Sequence, residues 1–387
     1  MKYLIKFVLF LIIFTISTST NVSAATAPSM GVTWNYKGTF VTRMYMTSNG
    51  YKGVIEEDGA RKFLLVNPSN KTLYTYTSKV NLRNARVYKD GTAYLTNANN
   101  EIIALTNTGK VRWIKHPYSE DLTLDLTDDG GLYASGYENG EWISSKLNLT
   151  DGKTIWSNKT RGFFFVGNSD NTIMAKSTSD NNNPYFNVAS FYSNGKLKWS
   201  HQTPSGYGIR KRDFVKISPK GNVAVISQKG ALTDRYIQVY NASGKRLFTK
   251  YIDGEPNYLG QVIFNDKGEL LITTFDTTNT TKLKCEWYNL DGKRISSKLI
   301  SIPKGPVDYR EYITKIDNDK NIFLHTQNYP LTMYKYNSSG KVVGKTTAPT
   351  DFEYDESKTL TNSSKGVVFF KNDFKNDIRY ARVYSYK

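Results

Sequence analysis

Cysteine is almost absent from this 387-residue sequence, which limits how the fold can be held together. The single cysteine, Cys285, cannot form an intramolecular disulfide, so the protein must rely on a buried core. Cys285 lies in the alternating stretch Lys-Leu-Lys-Cys-Glu-Trp, which predicts a strand residue and not a reactive thiol. Histidine is also scarce: His116, His201 and His325 are far apart and show no spacing typical of a metal site.

Long apolar runs are scarce too, and the main one covers residues 4–14. Lys2 and Lys6 make the N-terminus basic, and small residues follow at Val22-Ser23-Ala24. This pattern is typical of a secretory signal peptide, and the run is shorter than the roughly 20 residues that span a bilayer. We expect a signal peptide over residues 1–24, one mature domain over residues 25–387, and a secreted protein that is extracellular or cell-wall associated.

Acidic residues are too few to balance the basic ones. The chain has 52 Lys and Arg against 34 Asp and Glu, a net charge of +18, of which the signal peptide holds two lysines. A basic secreted protein attracts polyanions such as cell-wall phosphate polymers, acidic polysaccharide, anionic lipid and nucleic acid. No feature points specifically to nucleic acid. Many lysines lie at turns beside apolar residues, so a merely solvated surface is the alternative interpretation.

One short phrase, a polar residue followed by Gly-Lys and, within two residues, a hydrophobic residue, recurs along the chain. Its glycines are 43 to 49 residues apart: Gly109, Gly152, Gly195, Gly244, Gly292 and Gly340. A period of about 40–50 residues is typical of propellers, whose repeat is a four-stranded sheet. Between these sites, alternating apolar residues bounded by Asp-Gly or Asn-Gly pairs predict antiparallel hairpins. Each repeat therefore predicts four strands, which we call a, b, c and d.

Turn signals number eight between strands a and b but seven between c and d, including a weak one at Ser69-Asn70-Lys71. The chain ends on a c-like strand, residues 379–386, and begins with Gly31-Val32-Thr33-Trp34, which is similar to a d strand. We therefore expect an all-β fold: an eight-bladed β-propeller of four-stranded antiparallel blades. The N-terminal strand is expected to complete the last blade, which closes the ring and removes exposed edges.

The repeat resembles that of the quinoprotein-type, or PQQ-like, β-propeller family over nearly the whole mature chain. An Asp-Gly or Asn-Gly turn, two strands and Gly-Lys-x-x-Trp carry the resemblance, which weakens in later repeats. In successive repeats the tryptophan position holds Trp113, Trp156, Trp199, Phe248, Ser296 and Gly344.

The resemblance also implies what a catalytic member needs: a PQQ cofactor held with calcium, carboxylates and an arginine, often under a vicinal Cys-Cys pair. One cysteine makes that pair impossible, and no nucleophile motif replaces it. We expect no catalysis, no cofactor and no metal; a quinoprotein-like dehydrogenase or another propeller enzyme is the alternative. The segment 317–321 spaces its oxygens like the start of a calcium loop, but it lacks the later glycine and glutamate, so we interpret it as a turn.

A binding site is expected on the face formed by the b–c and d–a connections, because these are long and varied whereas the other turns are short. The segment Tyr207-Gly208-Ile209-Arg210-Lys211-Arg212 places three cations together, which suits an anion; a solvated loop is the alternative. Aromatic residues near the same face would stack on sugars. The predicted ligand-binding residues are Tyr207, Arg210, Lys211, Arg212, Tyr309, Arg310 and Tyr329.

These observations predict a monomeric binding or scaffold module. The expected partner is an anionic cell-wall polymer, a glycan or another protein, bound on the b–c and d–a loop face.

Overall fold

The computed structural model describes residues 30–386, apart from residues 40, 48, 57–60, 128–129, 160–161, 167–171, 179–184, 205–206, 209–214, 230–233, 254–256, 277–278, 304–312, 326–331, 348–361, 364–365 and 374–377. All the regular secondary structure in this part of the chain is β-strand. None of the described segments is a helix long and apolar enough to cross a membrane. The expectation of an all-β fold is confirmed for these residues.

The described strands form eight antiparallel sheets, which we number in chain order. The first strand, β1 (Met30–Thr39), belongs to the last of them. Sheet 1 contains β2 (Val41–Met46), β3 (Lys52–Glu56), β4 (Lys62–Val66) and β5 (Thr72–Thr77). Sheet 2 contains β6 (Leu82–Val87), β7 (Ala93–Asn97), β8 (Ile102–Leu105) and β9 (Val111–Lys115). Sheet 3 contains β10 (Glu120–Leu126), β11 (Leu132–Glu138), β12 (Glu141–Leu147) and β13 (Thr154–Lys159). Sheet 4 contains β14 (Gly162–Val166), β15 (Thr172–Thr178), β16 (Tyr185–Phe191) and β17 (Leu197–Gln202).

Sheet 5 has a divided first strand, so that it contains five strands. Sheet 5 contains β18 (Tyr207–Gly208), β19 (Val215–Ile217), β20 (Val223–Lys229), β21 (Arg235–Tyr240) and β22 (Arg246–Ile252). Sheet 6 contains β23 (Asn257–Phe264), β24 (Leu270–Asp276), β25 (Asn279–Tyr288) and β26 (Arg294–Ser301). Sheet 7 contains β27 (Ile313–Ile316), β28 (Ile322–His325), β29 (Thr332–Tyr336) and β30 (Val342–Thr347). Sheet 8 contains β31 (Asn362–Ser363), β32 (Gly366–Asp373), β33 (Ile378–Tyr386) and β1.

Where side chains are described, burial falls from the inner strands of a sheet to its outer strand. Strands β7 and β8 of sheet 2 are buried at every position, whereas β9 is exposed or half-buried throughout. The a strands of neighbouring sheets contact each other, as β2 does β6 and β6 does β10. The a strands therefore lie on the side where neighbouring sheets meet, and the d strands lie at the opposite, solvent-exposed edge of each sheet. The d strands are β5, β9, β13, β17, β22, β26, β30 and β1.

The turns between c and d strands follow one local design. In the turn before β22, the Asn241 side-chain oxygen accepts hydrogen bonds from the backbone N–H groups of Ser243 and Lys245, at 3.1 and 2.9 Å. Gly244 donates its N–H to the Asn241 carbonyl at 2.9 Å and has a φ of +85°. A left-handed φ favours glycine, which explains why the repeated phrase contains Gly before Lys.

The apolar core lies between neighbouring sheets. One cluster joins sheets 1 and 2 and includes Phe63 and Leu95, and another joins sheets 6 and 7 and includes Trp287 and Leu324. Other clusters join sheets 2 to 3, 3 to 4, 4 to 5 and 5 to 6. Each of these sheets is thus packed against the next along the chain.

Strand β1 pairs antiparallel with β33, at the far end of the chain. Gly31 lies opposite Ser385 and Lys37 opposite Tyr380, which is the pairing that the turn count predicts. Trp34 of this strand is only 9% exposed and packs in a cluster with residues of sheet 1 such as Met44 and Val54. The strand therefore pairs with the last strand of the chain while Trp34 packs against residues of sheet 1.

Candidate binding surfaces

The predicted loop-face residues fall largely outside the described part of the chain. Tyr207 begins β18, whose backbone pairs with β20, and only its backbone is described. The remaining predicted residues, at positions 210–212, 309–310 and 329, are outside the described residues. The structure neither brings these side chains together nor separates them, and the loop-face site stays a prediction.

The calcium-like segment forms a closed turn between β27 and β28. One carboxylate oxygen of Asp317 accepts from the backbone N–H groups of Asp319 and Asn321, at 3.0 and 2.9 Å, and the other from the Asn321 amide at 2.8 Å. The interpretation of this segment as a turn is confirmed. Across the described residues, no three His, Cys, Asp or Glu side chains are grouped so that they could hold a metal ion.

His201 and Cys285 have packing roles. The His201 ring stacks on Tyr240 with centroids 4.4 Å apart, and its Nε2 donates to the Gly244 carbonyl at 2.6 Å. Cys285 is 1% exposed, and burial raises the pKa of its thiol to about 12. Such a thiol stays protonated and unreactive at neutral pH. Cys285 lies in β25, so its prediction as a strand residue is confirmed.

The tryptophan of each strong repeat docks onto the c–d turn of the following sheet. Its ring covers the glycine of that turn: a Cβ added to Gly152, Gly195 or Gly244 would lie 2.9, 2.6 or 2.4 Å from the ring covering it. The indole N–H groups donate to carbonyls of the same turns: Trp113 to Leu149 at 3.1 Å, Trp156 to Ser193 at 2.9 Å and Trp199 to Ala242 at 3.3 Å.

In four sheets, the residue two positions after the tryptophan position makes a second contact with the following sheet. Sequence reasoning missed these contacts, although their constant offset from the tryptophan position is a signal that could have found them. They join the Tyr36 hydroxyl to the Glu56 carboxylate, Lys115 Nζ to the Gly152 carbonyl at 3.0 Å, His201 to the Gly244 carbonyl, and Lys250 Nζ to a Glu286 oxygen at 2.7 Å.

Glu286 is the most enclosed carboxylate among the described ion pairs, with its side chain 1% exposed. Lys250 of sheet 5 approaches it at 2.7 Å, and Arg294 and Lys284 of its own sheet at 2.9 and 3.6 Å. Burial alone would raise the pKa of Glu286, but the hydrogen bonds and charges of these three cations outweigh it and lower the pKa. All three cations pair with this one carboxylate, and the Lys250 contact joins sheet 5 to sheet 6.

Positive charge is concentrated on the outside of the molecule. We define the outer belt as the eight d strands with the c–d turns that precede them: residues 30–39, 67–77, 106–115, 148–159, 192–202, 241–252, 289–301 and 337–347. It carries only two acidic residues, Asp151 and Asp291. Against these stand seventeen cationic residues: Lys37, Lys71, Lys110, Arg112, Lys115, Lys153, Lys159, Lys196, Lys198, Lys245, Arg246, Lys250, Lys293, Arg294, Lys298, Lys341 and Lys345.

Most belt cations are exposed and have no carboxylate within ion-pair distance in the described part of the chain. These are Lys71, Lys110, Arg112, Lys196, Lys245, Arg246, Lys293, Lys298, Lys341 and Lys345. The exposed large apolar side chains of the described residues are on the same belt: Leu73, Val111, Ile114, Ile155, Tyr192, Leu197, Tyr251, Leu290, Ile295, Leu299 and Val342. The belt is thus both cationic and partly aliphatic.

Solved structures resemble this architecture throughout the chain. BamB from Moraxella catarrhalis is 10% identical, with a TM-score of 0.55, over 92% of this chain and 100% of that one. The Dos1 propeller is 11% identical, with a TM-score of 0.56, over 92% and 95%. A europium-containing methanol dehydrogenase is 10% identical, with a TM-score of 0.51, over 92% and 93%.

These likenesses define the class of fold: the chain is a β-propeller built from four-stranded antiparallel sheets. At such low identity they show the fold alone. No family model matches the chain, and no curated protein matches it significantly.

Proposed function

We propose that the protein is a secreted, non-catalytic β-propeller that binds an anionic polymer at the cell surface or outside the cell. The observation that carries this proposal is the excess positive charge, of which the outer belt holds seventeen cations against two carboxylates. Residues 1–24 support secretion, since they have the basic start, apolar run and small residues of a signal peptide. A propeller fold suits a binding module because it is a rigid scaffold that displays loops and edges.

We also propose that the eight sheets are the eight blades of one closed ring, of the kind found in quinoprotein-like propellers. Two observations support closure. Strand β1 completes sheet 8 by pairing with β33, and Trp34 and Tyr36 of β1 contact residues of sheet 1. The repeated tryptophan docking and the Gly-Lys turns support the resemblance to the PQQ-like repeat.

The binding proposal is tested with the mature protein and an immobilised polymer of phosphate-linked glycerol, with a neutral polyol of the same length as the control. We expect binding at low salt to the phosphate polymer only, and its loss at about 1 M NaCl, where the Debye length is about 3 Å. Failure to bind at low salt would overturn the proposal, and binding that survives at high salt would contradict its electrostatic basis.

Catalysis is the alternative function, since a methanol dehydrogenase shares the fold. The sequence argues against it because a single cysteine cannot supply a vicinal Cys-Cys pair. We expect no dye-linked oxidation of alcohols or sugars when PQQ and calcium are added. Turnover that depends on PQQ would favour the dehydrogenase and contradict the non-catalytic assignment.

A further inference from the structure

We infer that the outer belt, and not the loop face, is the surface that takes the anionic polymer, and that this polymer is an extended chain of phosphate groups joined by polyol units. The inference rests on the proposed function and specifies its surface and its ligand. The cations and apolar side chains that carry the argument are described residues, so their exposure and neighbours enter it directly.

The distribution of the belt charges favours a long ligand over a small one. The ten exposed cations without a carboxylate partner in the described structure are spread over six of the eight sheets. A single phosphate or carboxylate ion needs several donors that converge on one point. Cations placed around the outside instead attract a chain that runs from sheet to sheet, because each further contact then adds to the binding of one molecule.

The kind of cation favours point charges over shaped recognition. Among these ten residues, eight are lysines and two are arginines, Arg112 and Arg246. Arginine recognises phosphate through a fixed fork, whereas lysine provides a mobile, strongly hydrated charge that tolerates many geometries. A flexible polyanion without a defined shape fits such a surface.

The neighbouring side chains argue against single-stranded nucleic acid and against a sugar polymer. Single-stranded nucleic acid is held by aromatic side chains on which bases stack, and exposed aromatics likewise stack on sugars. The exposed apolar residues of the belt are mainly aliphatic, such as Val111, Ile155 and Leu197; only Tyr192 and Tyr251 are aromatic. A polymer of phosphate and short polyol units needs charge and apolar contact but no rings to stack.

Lysines of the Gly-Lys turns provide the test, because their backbone makes the turn while most of their side chains lie within ion-pair distance of no carboxylate in the described structure; Lys153, which pairs with Asp151 at 3.3 Å, is left unchanged. One variant combines Lys110→Gln, Lys196→Gln, Lys245→Gln and Lys341→Gln, on four different sheets. The matched control removes the same charge from exposed lysines outside the belt. It combines Lys79→Gln, Lys89→Gln, Lys220→Gln and Lys267→Gln.

Binding to long poly(glycerol phosphate) is measured for both variants and the mature parent at several salt concentrations, after thermal melting shows that all are folded. We expect the belt variant to bind about tenfold to a hundredfold more weakly, with a shallower salt dependence, because polyanion affinity and its salt slope follow the number of phosphate contacts. We expect less than a threefold change for the control variant.

Polymer length and loop charge complete the test. Short oligomers of the same repeat are expected to bind more than tenfold more weakly than the long polymer at equal phosphate concentration. Equal binding would contradict an extended ligand, and tighter binding of single-stranded DNA of equal charge would contradict the ligand class. If Arg210→Gln, Lys211→Gln and Arg212→Gln together abolish binding while the belt variant retains it, or if the control variant weakens it equally, the belt inference fails and the proposed function stands. If the parent binds no anionic polymer, the proposed function itself fails.

Discussion

Gly244 satisfies two requirements that come from different sheets. Its own turn requires a φ of +85°, and the Trp199 ring of the preceding sheet leaves 2.4 Å for a Cβ. Real Cβ atoms do not approach a ring that closely, so a side chain would strain the turn and displace the indole. The Gly-Lys phrase therefore records the packing between sheets as well as the shape of the turn.

Trp199 is the clearest test of this packing because it is only 9% exposed. We predict that Trp199→Ala lowers the free energy of unfolding by about 3–5 kcal/mol, since it leaves a cavity beside Gly244. Trp199→Phe keeps a ring on the glycine but loses the hydrogen bond to Ala242, and is expected to cost about 1 kcal/mol from that bond. Urea unfolding measures both; equal midpoints for the alanine variant and the parent would contradict the docking role.

Glu286 gives a prediction for pH. The pKa of Glu286 is lower in the folded than in the unfolded protein, so its negative charge stabilises the fold. This stabilisation is fully present above the unfolded-state pKa of about 4.3 and is lost as the pH falls through the folded-state pKa. We predict that Glu286→Gln costs about 3 kcal/mol at neutral pH, because it leaves Lys250 without its partner. The difference from the parent should shrink below about pH 4.

The measurement is urea unfolding of parent and variant between neutral pH and pH 3. Glu141→Gln serves as the control, because the Glu141–Lys159 pair is largely exposed and should change stability little at any pH. A parent-to-variant difference that stays constant over this range would show that the Glu286 charge does not stabilise the fold.

At this scale the sequence predicts positions better than partners. The tryptophan positions follow from the repeat, but each indole donates to a backbone carbonyl, such as that of Ser193, which any residue offers. The Glu286 cluster joins two sheets, and the sequence separation of Lys250 and Glu286 hides it. Whether residues 210–212 form a site depends on loop conformation, which strand periodicity does not determine.

At the scale of elements, β1 is the strand with the largest predicted consequence. Removing residues 28–37 takes away most of the partner of β33 and exposes an unpaired edge, so we predict a lower melting temperature and aggregation. Trp34→Ala alone should cost about 3–5 kcal/mol, because Trp34 packs on Met44 and Val54 of sheet 1. Tyr36→Phe removes only the hydrogen bond to Glu56 and should cost about 1–2 kcal/mol.

Thermal and urea unfolding of these three proteins form one series. Loss of stability should increase from Tyr36→Phe to Trp34→Ala to the truncation. A truncated protein that melts like the parent would contradict the closing role of β1.

The turn signals locate most strands within a few residues, because a turn fixes where the strand on each side ends. Strands β7 and β8 lie where the alternation between Asp90-Gly91 and the Gly-Lys site at residue 109 predicts them. The first strand of sheet 5 is different: it is divided into β18 and β19, on either side of the cationic segment. No turn signal marks that division, so the pattern of alternation cannot predict it.

At the scale of the whole molecule, the repeat explains why charge gathers on the outside. Every Gly-Lys turn starts a d strand, and every d strand lies at the outer edge of its sheet. A lysine that recurs with the repeat is therefore placed on the belt each time. The same periodicity that predicts the fold class distributes the cations, which the total of +18 does not reveal.

The pairing of β1 with β33 has a consequence for the order of assembly. Among the described strands, β1 leaves the ribosome first and β33 last, yet they are neighbours in sheet 8. Sheets 1 to 7 can each assemble from strands that are close in sequence, whereas β1 must wait for β33 before it can pair. Until then it is an unattached strand carrying an exposed tryptophan. Sheet 8 therefore needs both ends of the described chain for its completion, and until they meet its β33 edge is open to pairing with other chains.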